Sequence, residues 1–172
     1  LTITNASGSN SAIDLTADDL VDLTIKGGGA LTVTNDLGET SFPDLETIDG
    51  SAATGPLSLS VTGSDVEAVD TGEAGDNLQI NSTKSSAGFA TNGGNDNIEI
   101  DGLGTSASVN AGDGGDNIEL NVVLAASNSV DGGDGNDTLE ASTDVSIGSF
   151  VGIETLELLG AAAAADLSKF DS

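Results

Sequence analysis

The chain of 172 residues contains no Cys, His, Trp or Tyr. Without Cys there is no disulfide or thiol chemistry, and without His there is no imidazole base or histidine metal ligand. The lack of Trp and Tyr removes the usual stacking platforms for sugars and bases. No apolar run reaches the length of about 18 residues at which a membrane-spanning helix is expected.

Basic residues are also scarce, with 3 of them against 29 acidic ones and a formal net charge of -26. This balance excludes nucleic acid as a partner, because phosphate binding needs clustered Lys and Arg. It also argues against contact with anionic membranes. Hydrophobic residues make up 37% of the chain and recur periodically, so we expect a folded protein rather than a disordered one. Such acidity suits a calcium-rich exterior, where bound ions relieve self-repulsion.

Catalytic motifs are missing as well. Neither H-E-x-x-H nor G-x-S-x-G occurs, and no His could serve either of them. We therefore expect that this chain is not an enzyme, and that any catalysis would lie in other parts of a longer protein.

Short stretches of alternating apolar and polar residues, separated by Gly and Asn, predict strands rather than helices. Two apolar columns can be drawn through them, with most steps near 20 residues. The first is Leu31, Leu57, Leu78, Ile98, Ile118, Leu139, and the second is Ile48, Val69, Phe89, Val109, Val130, Phe150. The pattern predicts an all-β fold, a right-handed parallel β-roll or β-solenoid with two parallel sheets and about 20 residues per coil.

Four glycine- and aspartate-rich segments recur within this periodicity. Gly132 to Glu140 reads GGDGNDTLE and fits the nonapeptide G-G-x-G-x-D-x-U-x at each fixed position. The segment that starts at Ala111 departs from it only at the first position, whereas the segments at Thr71 and Thr91 are degenerate. Their sixth-position aspartates are Asp76, Asp96, Asp116 and Asp137. Because one such turn occurs per coil, we expect these aspartates to form a single column along one edge.

The nonapeptide resembles the calcium-binding repeat of RTX proteins over about residues 71–141. The resemblance implies that position-six carboxylates and carbonyls of the glycine turn bind Ca2+, whose ligands are oxygens. Four stacked turns leave three gaps, so about three ions are expected on this edge and none on the opposite one. The residues implied as ligands are Asp76, Asp96, Asp116, Asp137, Gly72, Gly93, Gly112, Asp113, Gly114, Gly132, Gly133, Asp134 and Gly135.

The phrase FVGIETLELLGAAAA after the repeats, together with one calcium turn per long coil, resembles type I-secreted bacterial surface-layer proteins of the RsaA type. The resemblance implies a secreted structural module on the bacterial cell surface. It also implies calcium-dependent self-association into a lattice or fibre. Contact with cell-surface polysaccharide would be made by other domains. Two alternatives stay open: an extender or ligand-binding module of an RTX adhesin, and the calcium roll of a secreted enzyme.

We expect one continuous domain in three parts, taken from a longer protein: metal-free coils at 1–70, calcium-binding coils at 71–141, and a final coil with a cap or continuation at 142–172. Asn81, Asp101 and Asn121 recur every 20 residues. They are interpreted as a hydrogen-bonded ladder. Val122 to Leu124 is interpreted as a corner that folds inward, with a small contact patch as the alternative.

Overall fold

The structure is a computed structural model that describes residues 1–6, 8–38, 42–160 and 164–171. Its strands are short and parallel. They are β1 (Thr2–Thr4), β2 (Ser11–Ile13), β3 (Asp22–Gly27), β4 (Leu31–Val33), β5 (Thr47–Ala53), β6 (Leu57–Gly63), β7 (Ala68–Asp70), β8 (Asn77–Ser82), β9 (Gly88–Ala90), β10 (Asn97–Leu103), β11 (Ser108–Asn110), β12 (Asp113–Gly114), β13 (Asn117–Leu120), β14 (Ser129–Asp131), β15 (Asp134–Gly135), β16 (Thr138–Ala141), β17 (Ser149–Val151), β18 (Thr155–Leu158) and β19 (Phe170–Asp171).

These strands alternate between two sheets as the chain winds forward. The first sheet has the order β1-β3-β5-β7-β9-β11-β14-β17-β19, the second has β2-β4-β6-β8-β10-β13-β16-β18, and β12 pairs with β15 at a corner. Each coil gives one strand to each large sheet, and equivalent strands follow one another at about 20 residues, as with Val69 and Phe89. The expectation of a parallel β-solenoid with two parallel sheets is confirmed.

The second apolar column predicted from the sequence is confirmed residue by residue. Ile48 pairs with Val69, and the series continues through Phe89, Val109 and Val130 to Phe150. All of these side chains are buried in the space between the sheets. Since one face of each strand must be covered, their burial sets which residues point inward.

The first column is wrong at one step. Leu31 pairs with Leu57, and Leu78, Ile98, Ile118 and Leu139 stack in order. However, the partner of Leu78 is Leu59 rather than Leu57. Leu57 and Leu59 both point inward, because side chains two residues apart share a face of a strand. Alternation therefore identifies the face and leaves the register open between these two positions.

The polar ladder is confirmed in part. Asn121 Nδ2 donates to Asp101 Oδ1 at 3.1 Å. Asn81 does not join, because the register shifts between Ile100 and Gly102 and places Asn81 opposite Gly102. Gln79 supplies the amide that reaches Asp101 Oδ2, at 3.0 Å. The bulge thus moves one member out of a ladder that spacing alone predicts.

The corner that follows β13 has its apolar residues on both sides of the chain. Leu124 is buried and Val122 packs against the core, whereas Val123 is 53% exposed. Asn128 holds this corner, since its Nδ2 donates to the Gly104 and Ala107 carbonyls and its Oδ1 accepts from Ala125 N–H. The prediction that this corner folds inward is therefore confirmed for Val122 and Leu124, and it is wrong for Val123.

The C-terminal part continues the first sheet. Ala161 to Ala163 lie outside the described residues, so the expected cap or continuation is described here only from Ala164 onward. Ala165 forms a parallel bridge with Val145, and a 3-10 turn spans Leu167–Lys169. Phe170 then stacks on Phe150 with ring centroids 4.7 Å apart. In the described ranges, no helix is long and apolar enough to cross a membrane.

Candidate metal centre

The aspartates at the sixth position of the four nonapeptides lie in one column. The N–H of Asp76 donates to Asp96 Oδ1 at 2.7 Å, and the N–H of Asp96 donates to Asp116 Oδ1 at 2.8 Å. The N–H of Asp116 donates likewise to Asp137 Oδ1, at 2.8 Å. Each aspartate directly precedes a strand of the second sheet, and these strands pair in register. The column predicted from the 20- and 21-residue spacing is present, with each carboxylate bound to the coil before it.

These carboxylates are buried, with exposed fractions between 0 and 3%. Their Oδ1 atoms are bonded to N–H groups, but Oδ2 of Asp96, Asp116 and Asp137 has no hydrogen-bond partner within the described ranges. Thr91 lies near Asp96, yet its hydroxyl donates to the Ala111 carbonyl at 2.8 Å. A buried oxygen without a donor is costly, and for a carboxylate the cost is larger still. Three successive coils therefore each carry one unsatisfied anionic oxygen.

Burial governs the protonation of this column. The pKa of Asp96 is raised to about 6, mainly by loss of solvation and to a smaller extent by the neighbouring Asp116 and Asp76 charges, against hydrogen bonds that lower it. Loss of solvation likewise raises the pKa of Asp76, Asp116 and Asp137. The charged column is thus unfavourable unless protons or cations compensate it.

Asp76, the first member, differs from the other three. Its Oδ1 accepts from Leu57 N–H at 2.7 Å, and its Oδ2 accepts from Gly72 N–H at 3.1 Å. Both oxygens of Asp76 therefore have donors. In the coil before it, Leu57 takes the place of an aspartate, so the column begins at Asp76.

Glycine turns stack beside the column and bring carbonyl oxygens close to it. A Cβ atom on Gly112 would lie 1.8 Å from the Asn92 carbonyl oxygen, and one on Gly133 would lie 2.0 Å from that of Gly112. Both residues also have positive φ, +103° and +90°. Only glycine combines this conformation with such close approach of the next coil. The glycines are therefore required for the coils to stack at this edge.

The other residues implied as ligands lie in the same turns. Asp113 pairs with Asp134 and Gly114 with Gly135, while Gly93 forms a bridge to Asp113. The side chains of Asp113 and Asp134 are exposed, so their carboxylates lie outside the buried column. Three of the carbonyls already accept hydrogen bonds: Gly72 O from Gly93 N–H at 3.4 Å, Gly112 O from Asp134 N–H at 2.9 Å, and Asp113 O from Gly94 N–H at 2.9 Å. A carbonyl oxygen has two lone pairs, so these bonds leave one pair available.

The donor chemistry fits a hard cation. In the part of the chain that the structure describes, no three acidic side chains converge as a metal site by themselves. A site here must combine one or two carboxylate oxygens with backbone carbonyls, which is the donor set that Ca2+ accepts. The unpartnered Oδ2 atoms of Asp96, Asp116 and Asp137 are the groups that a proton or a cation would neutralise. The residues present therefore fit calcium at the edge that the aspartate column and the glycine turns form.

One member of the column is missed by the nonapeptide pattern. Asp137 N–H donates to Glu154 Oε2 at 2.8 Å, across 17 residues rather than 20. The signal exists in the sequence, because Asp137-Thr138-Leu139-Glu140 and Glu154-Thr155-Leu156-Glu157 share the ending T-L-E.

A comparison of the chain with known protein families, with characterised proteins and with solved structures finds no match.

Proposed function

We propose that this chain is a calcium-stabilised structural module of a secreted bacterial cell-surface assembly. The observation that carries the proposal is the set of buried, unpartnered Oδ2 atoms of Asp96, Asp116 and Asp137 in three successive coils. Three such oxygens in a chain of net charge -26 create a need for cations that the described residues do not meet. A calcium ion bound between coils supplies the positive charge and the coordination that these oxygens lack.

The position of the column links cation binding to folding. Each aspartate bonds two coils, so the carboxylates come together only when the coils stack. A site that exists only in the folded state converts binding free energy into folding free energy. With about 2 mM calcium and a dissociation constant of about 0.1 mM, each site adds about 1.8 kcal/mol. Three sites would add about 5 kcal/mol, a large part of the stability of a domain.

The test is thermal unfolding followed by circular dichroism, with millimolar calcium and with excess chelator. A shift of about 5 kcal/mol corresponds to roughly 10–20 °C in a chain of this size. We expect calcium to raise the melting temperature by that amount and magnesium to raise it much less. Equal melting temperatures in calcium and in chelator would contradict the proposal.

The role in a surface assembly draws support from the shape of the solenoid. Each coil stacks on the next through parallel strand pairs, an arrangement that repeat proteins extend over many units. Exposed leucines lie at the C-terminal side, with Leu158 and Leu159 each 43% exposed. We propose calcium-dependent self-association into a surface-layer lattice, outside the cell and without nucleic acid as a partner.

Electron microscopy of the full-length protein with calcium tests the assembly directly. A two-dimensional lattice is expected for the surface-layer role. Single particles at all calcium concentrations would contradict self-association. Extended chains of separate domains would favour the adhesin alternative instead.

A further inference from the structure

The hydrogen-bonded column does not end at the last aspartate of the nonapeptides. Glu154 Oε2 accepts from Asp137 N–H at 2.8 Å, the same bond that links each aspartate to the next. The register supports this equivalence, because Thr138 pairs with Thr155 and Leu139 with Leu156. Glu154 therefore occupies the aspartate position of the following coil. That coil is shorter because a different corner precedes Glu154.

The second carboxylate oxygen of Asp137 faces that following coil. A Cβ atom on Gly132 would lie 3.0 Å from Asp137 Oδ2 and 2.1 Å from the Gly152 carbonyl oxygen. The absence of a side chain at Gly132 thus allows the Gly152 carbonyl oxygen and Asp137 Oδ2 to lie close to the same point of the turn. Asp137 is fully buried, and its Oδ2 has no hydrogen-bond partner in the described ranges. A buried, unsatisfied oxygen is thereby directed at the carbonyl of the next coil.

Further negative charge lies near these two oxygens. Asp131 Oδ1 accepts from Gly133 N–H at 3.1 Å and lies 3.2 Å from the Cβ position of Gly152. Asp131 and Glu154 are both close enough to Asp137 for their charges to raise its pKa, in addition to the larger effect of burial. Over the described ranges, the one ion pair between a lysine and an acid is Lys84 with Glu67. No lysine therefore neutralises this group.

We infer that a divalent cation, calcium by its oxygen donors, binds between the Gly132–Gly135 turn and the Gly152–Glu154 segment. The donors are Asp137 Oδ2 and the Gly152 carbonyl, and the negative charges of the neighbouring Glu154 and Asp131 carboxylates favour a cation there. This site lies one coil beyond the gaps that the nonapeptide pattern identifies, and Glu154 at its border comes from a segment without the motif. The inference rests on the proposed function, since it extends the same column.

Calorimetric calcium titration of the wild-type chain and of Glu154→Gln tests this site. The glutamine oxygen can still accept the Asp137 N–H, so the stacking bond is retained while the charge is lost. We expect Glu154→Gln to bind one calcium ion fewer than the wild type. Glu157→Gln is the matched control, because Glu157 is an exposed acid of the same strand β18, and it should bind as many ions as the wild type.

A second variant, Asp131→Asn, keeps an oxygen acceptor for Gly133 N–H and should also bind one calcium ion fewer. Circular dichroism in calcium verifies that each variant is folded before the ions are counted. Wild-type stoichiometry in both Glu154→Gln and Asp131→Asn would overturn this site and leave the aspartate column intact. A wild-type chain that binds no calcium would overturn the proposed function and the further site together.

Discussion

The backbone N–H of Asp96 donates to the side chain of Asp116, 2.8 Å away in the next coil. The same bond repeats from Asp76 to Asp96 and from Asp116 to Asp137. Each aspartate thus serves one neighbour through its backbone and the other through its carboxylate. Substitution of any of these aspartates by alanine consequently removes its carboxylate bond to the coil before it, whereas its backbone bond to the coil after it can remain.

Asp116→Ala is expected to lose more bound calcium than Asp76→Ala. Asp116 borders two gaps of the column, and its Oδ2 has no hydrogen-bond partner among the described residues. Asp76 borders one gap, and Gly72 N–H already satisfies its second oxygen. Calorimetric titration with calcium counts the sites that each variant retains. Equal losses in the two variants would contradict the column.

Stability should depend on pH in opposite directions with and without calcium. Burial raises the pKa of Asp96 from 3.8 to about 6, so the calcium-free folded chain takes up a proton relative to the unfolded chain between these values. Its stability should therefore increase as the pH falls from about 7 to about 4. With saturating calcium, protons compete for the same carboxylates and stability should decrease over this range.

Thermal unfolding at a series of pH values, in calcium and in chelator, measures both trends. Asp96→Asn provides the control, because an amide does not titrate and its presence should weaken the calcium-free trend. Parallel pH profiles in calcium and in chelator would show that the column does not exchange protons for cations.

Gly133→Ala is expected to cost about 3 kcal/mol or more of the free energy of unfolding. Its Cβ would lie 2.0 Å from the Gly112 carbonyl oxygen, so the coils must separate. Gly8→Ala is a matched control, because Gly8 has a similar φ of +80° and nothing lies within 4 Å of its Cβ position. It should cost only about 1–2 kcal/mol, from backbone strain. Urea unfolding in calcium measures both, and equal costs would contradict the role of close stacking.

Magnesium should replace calcium poorly in both folding and assembly. Magnesium needs tight octahedral geometry and holds its water, whereas calcium accepts carbonyls and carboxylates at irregular positions. Millimolar calcium should first close the coils and then permit contacts between molecules, and light scattering of the full-length protein should rise only at the second step. Ordered assembly in magnesium with calcium removed would contradict this sequence of events.

The sequence predicted the inward residues and the aspartate column well, because both follow from periodicity. Ile48, Val69 and Phe89 recur at nearly equal steps, and their burial confirms the face that alternation assigns. Register was harder to predict. Leu57 and Leu59 share a face, so the partner of Leu78 depends on how the preceding long coil closes.

Irregular coils explain the remaining differences. The bulge between Ile100 and Gly102 removes Asn81 from a ladder that its spacing would include. Glu154 lies 17 residues after Asp137, and a search at fixed spacing passes over it. In both cases a local change in coil length shifts one residue of a repeating series, and only the three-dimensional register reveals its partner.

The stacking of one coil on the next has a mechanical consequence. A force applied to one end of the chain acts first on the bonds between the last coil and its neighbour. The bonds between inner coils are loaded directly only after the coils outside them have detached. Coils should therefore detach singly, and a coil such as Asp96 to Asp116 would release about 70 Å of extended chain. Cations held between coils would set the force of each step, so that the ion concentration around the protein would tune its tensile strength.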